Sequence, residues 1–141
     1  MEIDYKEIAI YAVIFLIVLV AAQHLSVVVS GSMEPAFYRG DIVLTEKSDF
    51  LGIHEFNVDD VQVGDVVVYN AIWYDQPVIH RIIDIKDIDG TTMYLIKGDN
   101  NNAPDPYYVK SSQITDKVVT INGNLVVIPK IGYLSLWLRG L

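Results

Sequence analysis

The stretch from Val78 to Ile96, VIHRIIDIKDIDGTTMYLI, decides the fold. Two apolar, β-branched runs, Val78–Ile85 and Met93–Ile96, flank Asp89-Gly90. Asp-Gly between two such runs is the strongest short-range hairpin signal, because a type I′ turn needs φ > 0 at both central residues. Asn122-Gly123 repeats the arrangement between Val118–Ile121 and Leu125–Ile128. Further runs at Val27–Val29, Ile42–Leu44 and Val66–Tyr69 are separated by Gly, Asp, Asn and Pro clusters. After residue 30 no stretch of helical period has comparable strength. There is no internal repeat and no low-complexity linker. The pattern predicts a mainly β domain, a small antiparallel barrel or sheet.

Upstream the character changes. Ile8 to Ala22, IAIYAVIFLIVLVAA, carries no charge, and the uncharged run extends to Val29. A bilayer core of ~30 Å needs about 20 helical residues. The run fits one transmembrane helix from about Lys6 to about Leu25. Two other readings compete. A cleaved signal peptide needs a basic leading region, whereas Glu2, Asp4, Lys6 and Glu7 are net acidic. A buried core helix suits the shortness of the strictly apolar part. The expected division is an anchor over 1–28 and a β-rich domain over 29–141. Lys6, Arg39 and Lys47 are too few and too scattered to fix an orientation.

Length and charge narrow the class. The 141 residues suit one real core. Eighteen acids against ten bases give a net charge of −8, which disfavours a nucleic-acid surface. Residues 30–141 carry fifteen of the acids and nine of the bases, a net of −6. The absence of cysteine excludes disulfides, thiolate metal sites and a Cys nucleophile. Residues 41–65 hold seven acids and one base, Lys47. They read as a solvated loop region, without the spacing of a calcium loop. After Asp116 there are no acids, only Lys117, Lys130 and Arg139. The stretch Ile131 to Leu138 is apolar with aromatic and basic edges. It lies on a membrane surface, begins a second short segment, or packs on the sheet.

Few residues are suited to chemistry. Ser30-Gly31-Ser32-Met33-Glu34-Pro35 is a turn-forming segment just past the apolar run. It offers Ser32 as a nucleophile, provided a base takes its proton and donors meet the oxyanion. His24 reads as an interfacial residue and His54 as a solvated loop residue. His80 lies mid-strand, where alternation puts it on one face with Ile82 and Asp84. Rigid placement among apolar neighbours makes His80 the best-oriented base. The loop after the next strand, Lys97-Gly98-Asp99-Asn100-Asn101-Asn102-Ala103-Pro104-Asp105, supplies two carboxylates that can approach an imidazole. Ser32, His80 and Asp99 or Asp105 form an allowed triad, since a triad is defined by roles and not by order.

These segments together resemble type I signal peptidases of the archaeal and endoplasmic-reticulum branch. After the anchor come V-S-G-S-M-E-P at Val29–Pro35, R-G-D-I-V at Arg39–Val43 and V-G-D-V-V-V at Val63–Val68. I-H-R-I-I at Ile79–Ile83 and K-G-D-N-N at Lys97–Asn101 follow, with Asp105 beyond. The resemblance implies a membrane-bound serine endopeptidase of protein secretion that removes signal peptides and uses no metal or cofactor. It implies Ser32 as nucleophile, with its own N–H and the Ser30 hydroxyl as oxyanion hole. It implies His80 as general base where bacterial members use lysine, so that neither Lys97 nor Lys86 is needed. Asp105 is then the partner of His80 and Asp99 a second acid of the site. Val29 and Met33 would line small substrate pockets. The implied partners are preproteins, the lipid bilayer and secretion-machinery subunits. The implied location is the cell membrane, crossed once, with the catalytic domain on the outer face. Two rivals remain. A self-cleaving, repressor-like serine protease sits badly with the anchor and the histidine. A non-catalytic, membrane-tethered β domain that binds exported proteins has no need of a complete Ser/His/Asp set.

Overall fold

The structure, a computed structural model, describes residues 2–141. Helix α1 spans Tyr5–Gln23, capped by Asp4, whose carboxylate accepts the Lys6 N–H at 2.9 Å and the Glu7 N–H at 3.4 Å. Its 19 residues reach about 28 Å at ~1.5 Å per residue. It is long and apolar enough to cross a bilayer. None of its residues is buried. The rival reading of a buried core helix therefore fails. A helix apolar all round needs apolar surroundings, and the rest of the described chain supplies none.

At His24 the chain leaves the helix and enters strand β1, Leu25–Val27. The uncharged run thus divides between helix and sheet, and its strand starts two residues before the predicted Val27. Strands β2 (Ile42–Lys47), β3 (Val66–Tyr69), β4 (Val78–Ile88), β5 (Thr91–Lys97), β6 (Val109–Lys110) and β7 (Ile114–Val118) follow. They form an antiparallel sheet in the order β1-β2-β7-β3-β4-β5-β6, curled into a half-barrel. Strands β8 (Thr120–Ile121) and β9 (Asn124–Leu125) make a separate hairpin, and β10 (Val127–Ile128) pairs with β2. The Asp89-Gly90 and Asn122-Gly123 turns have φ of 53° and 81°, and 53° and 79°, as type I′ requires. A short helix α2, Tyr133–Leu138, lies in the segment whose packing the sequence left open.

Strand β3 explains why V-V-V-Y shows no alternation: it is buried on both faces. Val67 and Tyr69 join one core with Val78, Ile82, Tyr94 and Ile96. Val66 joins the other with Met33, Phe37, Val43 and Val118. Each such side chain contributes about 1.5–3 kcal/mol by leaving water. Val67 pairs with His80 and Tyr69 with Val78, so Tyr69 and His80 project from the same face. Along β4 alternation holds from Val78 to Ile82. A register shift between Ile82 and Asp84 then breaks it, so Asp84 does not share the buried face of His80 and Ile82 as expected.

Candidate active site

Ser32 sits in the turn after β1, in contact with His80 on β4. Its Oγ lies 3.0 Å from His80 Nε2. On the other side of the ring, Nδ1 lies 2.9 Å and 2.8 Å from the two carboxylate oxygens of Asp105. The carboxylate only accepts, so Nδ1 carries the proton and Nε2 is free to accept the Ser32 hydroxyl. His80 and Asp105 are 6% and 7% exposed. Both are buried polar groups that keep hydrogen-bond partners. Asp105 enters from the loop after β5, tethered by its N–H to the Ile96 carbonyl at 2.8 Å.

Tyr69 is a participant that the sequence reading missed. Its hydroxyl donates to Asp105 Oδ2 at 2.6 Å. Burial, and then the neighbouring carboxylate, push its pKa well above the usual tyrosine value. It stays a donor at any working pH. Period two puts Tyr69 on the face of Val67. That this face is also the face of His80 follows only from the β3–β4 register, which no local pattern reveals.

The two acids of the Asn-rich loop separate. Asp99 forms a bidentate pair with Arg81, Nε to Oδ1 at 2.9 Å and Nη2 to Oδ2 at 2.8 Å. That carboxylate raises the pKa of Arg81. Arg81 also donates to the Gly64 carbonyl at 2.7 Å. Asp99 makes no hydrogen bond to His80, so of the two candidates only Asp105 approaches the imidazole. Asp99 instead ties down the loop that covers the serine turn. Within that loop the Asn100 N–H donates to the Ser32 carbonyl at 2.8 Å, and its side-chain amide to the Gly31 carbonyl at 3.1 Å. Gly98 passes so close that a Cβ there would lie 2.7 Å from the Ser32 carbonyl oxygen and 3.0 Å from His80 Nε2.

Ser30 Oγ lies 3.2 Å from Ser32 Oγ and accepts the Ser32 N–H at 3.5 Å. Val29 and Met33 line a cleft of about 390 Å³ that also touches Ser32, His80, Trp73 and Arg139. Met33 is buried, and its sulfur accepts the Asp99 N–H at 3.5 Å. The two lysines of the region have other partners. Lys97 Nζ donates to the Gly98 carbonyl at 3.2 Å, and Lys86 pairs with Asp84 at 3.6 Å.

The acidic stretch is less solvated than its composition suggests. Asp41 is buried and accepts the N–H groups of Tyr38 at 2.8 Å and Lys130 at 2.9 Å. Glu55 accepts the Lys47 N–H at 2.7 Å and lies 2.8 Å from His24 Nε2. His24 caps the end of α1, with Nδ1 2.7 Å from the Val20 carbonyl. That carbonyl, with help from Glu55, raises the His24 pKa against the opposing effect of burial. His54 hydrogen-bonds the Ser48 carbonyl, away from the cleft.

Comparison with known proteins places this geometry in context. The chain is 34% identical to an uncharacterized protein of Methanocaldococcus jannaschii, over 83% of this chain and 84% of the relative. It is 38% identical to the signal peptidase complex catalytic subunit SEC11 of Lachancea thermotolerans, over 79% of this chain and 64% of the relative. The SEC11 of Tuber melanosporum is 37% identical over 79% and 61%. The chain thus spans somewhat under two thirds of these two SEC11 proteins. Residues 3–86, which include Ser32 and His80, match the family described as signal peptidase, peptidase S26, and the chain belongs to that family.

Proposed function

We propose that this chain is a membrane-anchored serine endopeptidase that cleaves N-terminal signal peptides from exported preproteins. The observation that carries the reading is the hydrogen-bonded line Ser32–His80–Asp105 opening into a cleft. His80 Nε2 takes the Ser32 proton as Oγ attacks the scissile carbonyl, and later returns it to the leaving amine. Asp105 holds the Nδ1–H tautomer and offsets the imidazolium charge. The Ser32 N–H and the Ser30 hydroxyl receive the oxyanion. Asp99 acts one step removed, as a positioning residue, through Arg81 and the Gly98–Asn102 loop.

Substrate binding follows from open backbone edges. Strand β1 ends the sheet, and Val78–His80 precede the pairing of β4 with β5. Both segments line the cleft, so an extended peptide can add between them by β-augmentation. Val29 and Met33 then border the side chains before the cut. Residues 1–28 act as the anchor and 29–141 as the catalytic domain, with Leu25–Val27 as the joint between them. The protein crosses the cell membrane once, with the catalytic domain on the outer face. The SEC11 relatives are named as subunits of a complex, which supports secretion-machinery partners here.

The direct test is incubation of the full chain in lipid with a model preprotein, wild type against Ser32→Ala. The wild type releases the mature protein and the variant does not. Processing by Ser32→Ala at near the wild-type rate would overturn the nucleophile assignment.

A further inference from the structure

The cleft at Ser32 has largely apolar walls and a single formal charge. Val27, Phe37, Trp73, Val78 and Ile79 line it, and with His80 neutral Arg139 is the only charged residue of its lining. Among the described residues Arg139 has no acid within ion-pair distance. Arg81, the other arginine near the site, is held bidentately by Asp99. The buried acid beside the foot of α2, Asp41, is already committed, one oxygen to the Tyr38 N–H at 2.8 Å and the other to the Lys130 N–H at 2.9 Å. No acid follows Asp116 in the chain.

The footing of Arg139 is firm. The Gly132 N–H donates to the Gly40 carbonyl at 2.8 Å, and a Cβ on Gly132 would lie 2.9 Å from Val27 Cγ1. A Cβ on Gly40 would lie 2.5 Å from Tyr133 Cε2. Helix α2 is therefore seated on β1 at Val27 and on the turn before β2, with Leu136 buried beneath it. The Arg139 N–H closes the helix on the Ser135 and Leu136 carbonyls, at 3.1 Å each. The guanidinium is thus carried by the β1 bank of the cleft, on the side from which α1 arrives.

We propose that Arg139 is a specificity-determining residue that ranks substrates by charge upstream of the cut, favouring an acidic side chain and disfavouring a basic one. The proposal deepens the peptidase reading and rests on it. A substrate whose apolar core lies in the bilayer with α1 leaves the membrane beside Leu25 and runs along β1 toward Ser32. Extended chains rise ~3.3 Å per residue, so the substrate residue beside Val27 is about five before the scissile bond. A carboxylate there can take the guanidinium fork in a bidentate pair. The apolar walls strengthen that pair by excluding water. An ammonium in the same place meets an unneutralised like charge. If Arg139 served only the end of α2, where a cation favours the helix dipole, substrate charge would make no difference.

The test uses the full chain in phosphatidylcholine vesicles and a model preprotein carrying Asp, Asn or Lys singly at each position from two to seven before the cut. Asp and Asn differ in charge at nearly equal shape, so the ratio of their kcat/KM values reads the contact whatever the overall activity of a variant. In the wild type this ratio is expected to peak near the fifth position at about three- to fivefold, the scale of a partly exposed ion pair. The effect should lie in KM and shrink at high salt. Arg139→Gln should bring the ratio close to one, and Arg139→Glu should invert the order so that Lys is preferred. A flat wild-type profile would overturn the proposal, as would a peak that survives in Arg139→Gln. So would an Arg139→Gln defect that is the same for Asp, Asn and Lys substrates, the mark of a role in α2 or in binding a lipid phosphate. A wild type that cleaves none of the series loses the peptidase reading together with this one, whereas one that cleaves all alike loses only this one.

Discussion

The Tyr69 hydroxyl is bonded to Asp105 at 2.6 Å, so the carboxylate facing His80 is held from behind by a fully buried donor. Asp105 offers both oxygens to Nδ1, at 2.9 and 2.8 Å. The Tyr69 bond adds a second, independent side-chain partner to Asp105 Oδ2. Tyr69→Phe keeps the ring in its core and removes only this donor. A hydrogen bond to a charged group contributes about 1.5–3 kcal/mol, so thermal unfolding should show a loss of that order. kcat/KM should fall roughly tenfold, the equivalent of ~1.4 kcal/mol of transition-state stabilisation. A purely structural tyrosine would lower stability and leave kcat/KM of the folded enzyme unchanged.

Asp105→Asn and Asp99→Asn should separate sharply. In the proposed mechanism the first removes the charge that offsets the imidazolium and loosens the tautomer. It is expected to cost about 10³–10⁴ in kcat, as in the general triad pattern. The second weakens the bidentate pair with Arg81 and acts through loop position, with a loss of roughly 10–100-fold. His80→Ala should match or exceed the first. Single-turnover cleavage of a preprotein measures all three. Equal, mild losses from both Asp variants would be incompatible with Asp105 as the orienting group.

The local signals in the sequence reached most of the fold. Both type I′ hairpins, the buried β3 run and the strand carrying His80 follow from residue identity and period. The Ser, His and Asp positions came from ordered motifs. What stayed hidden is set by tertiary register. Tyr69 meets Asp105 only because β3 pairs with β4 at Val67–His80. Asp99 turns to Arg81 because alternation sends Arg81 away from the face of His80. The register shift after Ile82 displaces Asp84 without any Gly or Pro to announce it. Asp41 looked like a solvated acid because its partner, the Lys130 N–H, lies far along the chain, and the contact of the exposed Glu55 with His24 was hidden for the same reason.

Gly98→Ala tests the closeness of the covering loop. The added methyl would approach the Ser32 carbonyl to 2.7 Å and His80 Nε2 to 3.0 Å, and the carbonyl is backbone with little freedom to yield. The serine turn or the loop must shift by several tenths of an ångström. Misplacement on the scale of 1 Å can cost about 100-fold in rate, so kcat should drop by up to that factor while circular dichroism stays native. Wild-type activity in Gly98→Ala would show that the turn tolerates displacement and is not held by the loop.

The contact of His24 with Glu55 should make stability depend on pH within a definite window. The Glu55 carboxyl is partly desolvated, which opposes ionisation, but the Lys47 N–H and His24 outweigh this and lower its pKa below the ordinary 4.5. Its contribution is therefore present above 4.5 and is lost as pH falls through the lowered value. The Val20 carbonyl and Glu55 raise the His24 pKa above 6.5. That contribution is complete below 6.5 and is lost as pH rises through the raised value. Both are in force between about 4.5 and 6.5. The pair is partly exposed, with side chains 13% and 27% accessible, so its worth is about 0.2–1 kcal/mol. The melting temperature of the wild type should exceed that of Glu55→Gln most within this window, and the gap should narrow on both sides. A gap that stays constant from pH 4 to pH 9 would mean that the Lys47 bond alone holds Glu55 and that His24 contributes no charge to the joint between anchor and sheet.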